Sequence, residues 1–173
     1  MILVSIDFQE RLCPHISGID EILFNSRKLI KSFNVLGFPV ISTEQVKLGR
    51  TVDEIAEVLE SEPIQKVSFS CCGSEEFVRK LQSFGEKYCV LIGIETHICV
   101  LQTALDLLDM GYDVSVAVDC TGSRREIDKE VALRRMEKKG VDLTTWETIV
   151  YEILRTAEHD KFKDILGIVK EKR

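Results

Sequence analysis

The segment GIETHICVLQTALDLLDMG, Gly93 to Gly111, follows directly on KYCVLI, residues 87–92. The apolar run reads as a buried strand, Tyr88 to Ile92. The chain then turns, with no loop between, into a helix from Thr96 to Met110 that Gly111 stops. A strand that gives straight onto a helix belongs to an alternating α/β chain. The odd member of this segment is Cys99, a thiol one turn into the helix.

The alternation continues on both sides. ILVSID (Ile2 to Asp7) is a short apolar run ending on an acid, and Ile19 to Leu36 carries apolar residues at helical spacing closed by Gly37. FPVIST (38–43) is a second strand. Thr51 and Glu54 form a capping box that predicts a helix over 51–60. Pro63 to Val67 is a weak third strand, Ser74 caps a helix reaching about Phe84, and VSVAVD (Val114 to Asp119) is a fifth strand. A helix to Lys139 stops at Gly140, VDLTT (141–145) is a sixth strand, and helices fill the remainder. This predicts one domain over 1–173, built on a mostly parallel six-stranded sheet covered on both faces, with no repeat or linker.

Composition narrows the class. The 173 residues are 45% hydrophobic and 30% charged, with net charge −6 and a sequence pI near 5.2. No basic stripe stands out, which argues against a nucleic-acid or membrane-surface protein. The basic cluster Lys170 to Arg173 reads as a helix end that complements the helix dipole. Met1 to Ile6 is too short for a signal segment, and no run approaches a membrane span. The six cysteines are irregularly spaced, so they read as reduced thiols of a cytoplasmic protein rather than as a disulfide framework.

Ligands of an open parallel sheet sit beyond the carboxyl ends of its strands, where the strand order reverses. This selects Asp7 after strand one, Thr43, Glu44 and Gln45 after strand two, Lys66 near the end of strand three, Cys99 after strand four and Asp119 at the end of strand five. In the order 3-2-1-4-5-6, Asp7 and Cys99 flank the switch point. With Thr96 as N-cap, the helix dipole and free N–H groups at Cys99 favour the thiolate and an oxyanion beside it. Asp7 then takes the thiol proton and Lys66 stabilises the ion pair. Taken singly, each residue has a plainer reading. Cys99 is a small buried hydrophobe, Asp7 a turn cap and Lys66 a solvated surface charge. His15 and His97 are ordinary polar groups, the pair Cys71–Cys72 is incidental, and Asp119 caps the next helix.

Six motifs in order change that balance: IDFQ with Asp7 and Gln9, TEQ (43–45) followed by LG, KVSFS with Lys66, GIETHICVLQTALDLLDMGYDV with Cys99, VDCTGSRREIDKEVALRRM, and TTWETIVYEIL. The chain resembles the isochorismatase-like cysteine hydrolases, a group with nicotinamidases, N-carbamoylsarcosine amidases and isochorismatases. TEQ and the late FKDI look most like its small isochorismatase-domain proteins. The resemblance implies a Rossmann-like three-layer α/β/α fold and a triad of Asp7, Lys66 and Cys99. It also implies a cis peptide between Ile94 and Glu95 that aims the Glu95 and Cys99 N–H groups at an oxyanion, with substrate-binding positions at Gln9, Gln45 and Ser70.

Departures from the family bear on substrate. Nicotinamidases hold a metal with an Asp and His residues after strand two; EQVKLGRTVDEI has no His, so no metal and no cofactor are expected. Cys72 and Leu12 stand where the family usually has aromatics, which makes nicotinamide a poor match. Trp146 replaces a usual small residue and is expected at the pocket or an interface. The expectation is a cysteine hydrolase that cleaves a C–N bond of a small amide or carbamoyl compound through a thioester. Its partners are a small-molecule substrate and copies of itself in a homo-oligomer, with no nucleic acid and no membrane. The alternative is a non-catalytic oligomeric scaffold, or a thiol-sensing protein, that keeps the fold.

Overall fold

A computed structural model describes residues 1–172; Arg173, the last member of the basic cluster, lies outside the described residues. Six parallel strands form one sheet in the order β3-β2-β1-β4-β5-β6. They are β1 (Ile2–Ile6), β2 (Val40–Gln45), β3 (Ile64–Lys66), β4 (Tyr88–Ile94), β5 (Asp113–Gly122) and β6 (Asp142–Thr144). Seven helices cover it: α1 (Ile19–Leu36), α2 (Asp53–Ala56), α3 (Glu75–Ser83), α4 (Leu101–Asp109), α5 (Glu126–Glu137), α6 (Trp146–Leu154) and α7 (Phe162–Val169).

Side chains alternate across a strand, so each strand feeds two cores. Ile2, Val4 and Ile6 of β1 pack with Phe77 and Leu81 of α3, Ala104 and Leu107 of α4, and Ala132 and Met136 of α5. Leu3 faces the other way, towards Leu29 and Phe33 of α1, Ile149 of α6 and Ile165 of α7. The central strands are buried on both faces, which is why ILVSI and YCVLIGI are continuous apolar runs. Gly93 is required at the middle of the sheet: a Cβ there would lie 2.2 Å from the Ile6 carbonyl oxygen, and its φ is 131°.

Several elements differ from the sequence reading. Strand two begins at Val40, one residue after Pro39, and runs on to Gln45 because Thr43, Glu44 and Gln45 pair with Ile64, Gln65 and Lys66. The capping box at Thr51 does not form. The Thr51 N–H and hydroxyl both donate to the Glu44 carboxylate, at 2.6 and 2.7 Å, and Thr51 bridges Gln9 instead of opening a helix. Helix α2 therefore shrinks to four residues with Val52 as its N-cap. Strand β5 runs three residues past Asp119, because its register against β4 jumps between the pairs Leu91–Val116 and Gly93–Thr121. The last turn of α7 is served by Lys28 of α1, whose ammonium donates to the Val169 carbonyl at 2.9 Å. This cation adds to Lys170 of the basic cluster, which is the C-cap residue of α7. Trp146 is neither at a pocket nor at a surface: it is buried on the α1/α6 face. No helix among the described residues is long and apolar enough to cross a membrane.

Candidate active site

The carboxyl ends of β1, β3 and β4 bring Asp7, Lys66 and Cys99 to one place. Asp7 stands one residue past β1 with φ 55°, a left-handed conformation rare for a non-glycine residue and found where a functional side chain must be aimed. Its carboxylate is gripped on both oxygens. The Lys66 ammonium donates to Oδ2 at 2.7 Å and the Thr43 hydroxyl to Oδ1 at 2.8 Å. Both side chains of the Asp7–Lys66 pair are wholly buried. Two charges out of water persist only when they are paired and hydrogen-bonded.

Lys66 is saturated. Besides Asp7, its ammonium meets Gln45 Oε1 at 2.9 Å and the carbonyls of Phe69 and Ser68 at 3.1 and 3.2 Å. Four acceptors surround three donor hydrogens. Lys66 is thus a fixed positive charge with no donor to spare, not a nucleophile.

Cys99 is also buried, and its thiol is pushed up to about 12, first by burial and then by the charge of Asp7; Lys66 pulls the other way. Burial and the Asp7 charge therefore work against the thiolate expected at the helix start, and outweigh the lysine. A second thiol, Cys71, is fully buried against the same groups, with its sulfur 3.8 Å from the Thr43 hydroxyl. Thr103 links the two cysteine segments, accepting the Cys71 N–H at 3.0 Å and donating to the Cys99 carbonyl at 2.7 Å.

The backbone around Cys99 is not a plain helix start. Glu95, not Thr96, is the N-cap, and Thr96–Val100 forms a π turn before α4 begins. Such wide turns insert one residue into a helix and concentrate at functional sites. The N–H groups of Ile98 and Val100 both donate to the Glu95 carbonyl, at 3.0 and 3.3 Å. Among the described residues the Glu95 N–H finds no acceptor, and the buried Thr96 hydroxyl has no partner either. The peptide between Ile94 and Glu95 is cis, as the resemblance implied.

The remaining sequence candidates have other occupations. The Gln9 amide is consumed by the backbone, donating to the carbonyls of Gln45 and Gly49 at 3.0 and 2.7 Å and accepting the Gln45 N–H at 2.8 Å. Gln45 touches Lys66, and its own amide donates to the Val67 carbonyl. The Ser70 hydroxyl accepts the Cys72 N–H. Asp119 is remote from the triad and accepts the Trp146 N–H at 3.0 Å. Among the described residues no three or more His, Cys, Asp or Glu side chains are grouped to hold a metal ion.

The sequence reading missed the part that Cys71, Thr103 and Arg124 play. Arg124 closes on the Glu95 carboxylate with its backbone N–H and its guanidinium. Only the adjacency of KVSFSCC to Lys66 pointed towards Cys71.

The Isochorismatase domain model matches residues 1–148. Isochorismatase domain-containing protein 2 of Xenopus laevis is 40% identical over 98% of this chain and 83% of its own. Isochorismatase family protein 1A of Dictyostelium discoideum is 36% identical over 96% of this chain and 84% of its own. Among solved structures, MAR1 ribonuclease from Caenorhabditis elegans superimposes with TM-score 0.92 at 36% identity, over 99% of this chain and 90% of that one. YcaC from Pseudomonas aeruginosa, solved with hexane-2,5-diol and covalent acrylamide, gives TM-score 0.89 at 25% identity over 96% and 87%. YcaC from Escherichia coli, described as an octameric hydrolase of unknown specificity, gives 0.88 at 24% identity over 97% and 91%. With the domain model covering most of its length and relatives of that kind aligned along nearly all of it, this chain belongs to the isochorismatase family.

Proposed function

We propose that this protein is a cysteine hydrolase that cleaves the C–N bond of a small amide or carbamoyl compound through a thioester. The observation that carries the reading is the dry Asp7 carboxylate, held by Lys66 and Thr43 and close enough to Cys99 for its charge to act on the thiol. A carboxylate fixed in this way has one task left, which is to receive the thiol proton as sulfur attacks.

Because the resting thiol is neutral, proton transfer and attack run together. Cys99 Sγ bonds to the carbonyl carbon while its proton moves to Asp7, and the carbonyl oxygen takes up the charge. The Glu95 N–H, which has no protein acceptor, and the Cys99 N–H receive that oxygen. The tetrahedral adduct collapses, the C–N bond breaks, and Asp7 returns the proton to the departing ammonia or amine. Water, deprotonated by the same carboxylate, then splits the thioester and frees Cys99. Lys66 orients the Asp7 carboxyl group for each proton transfer, and Gln45 holds Lys66 in that role.

The covalent acrylamide described for the P. aeruginosa neighbour supports this reading. Acrylamide joins a primary amide to a carbon that thiols add to. The C. elegans neighbour is described as a ribonuclease, but a net charge of −6 repels a phosphodiester backbone. The test is release of ammonia or amine from a panel of small primary amides and carbamoyl compounds, with RNA digestion run in parallel. Turnover of a small amide that disappears in Cys99→Ala, while the far-UV spectrum is unchanged, is the expected result. Turnover that survives in Cys99→Ala, or RNA cleaved while every amide is left intact, sinks the mechanism.

A further inference from the structure

Resting on the oxyanion role proposed for the Glu95 and Cys99 amides, we propose that Arg124 is a positioning residue for that hole, acting through the buried Glu95 carboxylate. Glu95 is the first residue past β4, and Arg124 is two residues past the end of β5. The two strands leave the sheet side by side, paired Gly93 with Thr121 and Ile94 with Gly122. Immediately beyond that last pair the side chains cross-lock. The Arg124 N–H donates to Glu95 Oε2 at 3.0 Å, and Arg124 Nε reaches both carboxylate oxygens at 3.1 Å.

A second stitch lies beside the first, between His97 Nδ1 and the Ser123 hydroxyl at 3.0 Å. Ser123 is itself fully buried, and its carbonyl accepts the Ser17 N–H at 3.3 Å. The start of the nucleophile turn is therefore tied, at residues 95 and 97, to a loop anchored elsewhere in the core.

The Glu95 side chain is only 5% exposed. A carboxylate in that position is costly unless it is held. Without the guanidinium it keeps one hydrogen-bond donor, the residue-124 N–H, with His97 Nδ1 4.0 Å away, and the low-cost escape is outward, towards water, with its own main chain following. Two consequences follow from that displacement. The Glu95 N–H, which no protein acceptor restrains, moves with the main chain. The π turn carrying the Cys99 N–H begins at the next residue. Arg124 touches no reacting atom, so its effect belongs on the oxygen of the bound carbonyl and not on the thiol.

That separation gives the test. Propionaldehyde adds to a thiol to form a thiohemiacetal: the S–C bond forms, the C=O π bond breaks, and the thiol proton passes through Asp7 to the oxygen, with nothing oxidised or reduced. The new oxygen occupies the hole. Iodoacetamide alkylation of Cys99 displaces iodide and puts no charge on a carbonyl oxygen. Protection by propionaldehyde against alkylation therefore reads the hole, and alkylation without aldehyde reads the thiol. In the full-length protein, Arg124→Ala is expected to weaken protection by about tenfold or more, as misaimed oxyanion donors do. Its alkylation rate without aldehyde is expected to stay within about twofold of the native rate, and Arg124→Lys, which keeps a cation near Glu95, to recover most of the protection. Unchanged protection in Arg124→Ala overturns the proposal, as does a parallel fall in alkylation, which would mark a general loosening of the turn. Absence of protection in the native protein overturns the oxyanion reading itself, separately from the part assigned to Arg124.

Discussion

Cys99 answers to two charges of opposite sign. The Asp7 carboxylate holds its proton on, and the Lys66 ammonium draws it off. Substituting each therefore moves the thiol in opposite directions. Asp7→Asn is expected to lower the pH at which iodoacetamide alkylation of Cys99 accelerates, and Lys66→Met to raise it, both read by peptide mass spectrometry across a pH series. Hydrolysis falls in both, since one variant lacks the base and the other its orientation. Two shifts in the same direction would mean that the pair does not govern the thiol. Lys66→Met also strands a buried carboxylate, at a cost of about 3–5 kcal/mol in unfolding free energy. At this scale the sequence was legible wherever a strand-end rule applies: Asp7, Lys66 and Cys99 each follow or end a strand, and the structure brings them together. It took Cys71 as incidental and was silent on Thr103 and Arg124, whose contacts depend on which loops meet. The thiolate expected from helix position and Lys66 is opposed by burial and by the Asp7 charge, neither of which the local sequence carries.

Elements read correctly where one local signal had no competitor. Helix α1 has the bounds its apolar spacing and Gly37 imply, and Gly37 ends it in a left-handed conformation with its N–H on the Asn34 and Phe33 carbonyls. Helix α3 begins where Ser74 accepts the Phe77 N–H. Ser74→Ala is expected to cost about 1 kcal/mol in urea unfolding. Thr51 failed as a cap because Glu44, on the neighbouring strand, offered its N–H and hydroxyl a charged acceptor. No pattern within 51–60 contains that residue. The π turn was equally invisible, since one wide turn in THICV does not interrupt the apolar run that leads into α4. Gly93 joins the element to the site: β1 carries Asp7 and β4 leads to Cys99, and the two strands meet at that glycine. Gly93→Ala forces the strands apart, with an expected loss of about 3 kcal/mol. The same urea series, with alkylation of Cys99 followed alongside, checks that stability and site geometry fall together.

Over the whole molecule, the sheet order was legible because alternating strands and helices leave few parallel arrangements. Six buried or half-buried thiols add a property of the entire chain. Cys13, Cys72, Cys89 and Cys99 are pushed from 9.0 up to about 12 and Cys71 to about 11, with Cys120 raised well above 9.0, burial being the first cause in each. Above pH 9 the unfolded chain releases these protons while the native state retains them, so unfolding is favoured as pH rises. Under reducing conditions the melting temperature should fall steadily from pH 9 to pH 11, and less steeply once Cys120 and Cys89 are replaced by alanine. A flat profile would contradict the buried, neutral state of these thiols. Surface character points to a homo-oligomer, which we propose. Val67 and Phe69, just past β3, and Ile127 and Val131 on α5 are large apolar side chains left 46–77% exposed. Phe69→Asp with Ile127→Asp is expected to shift the sedimenting species to monomer; an unchanged mass would remove these residues from the contact.

The four acceptors around the Lys66 ammonium have a spectroscopic consequence. Ammonium protons at a protein surface trade with water too quickly to be seen at room temperature. Those of Lys66 are all engaged and have no water to trade with, so opening of the site must precede their exchange. A 15N-labelled sample should therefore show one lysine side-chain signal that persists at neutral pH. Its lifetime becomes a clock for how often this active site admits solvent, readable before any substrate is known.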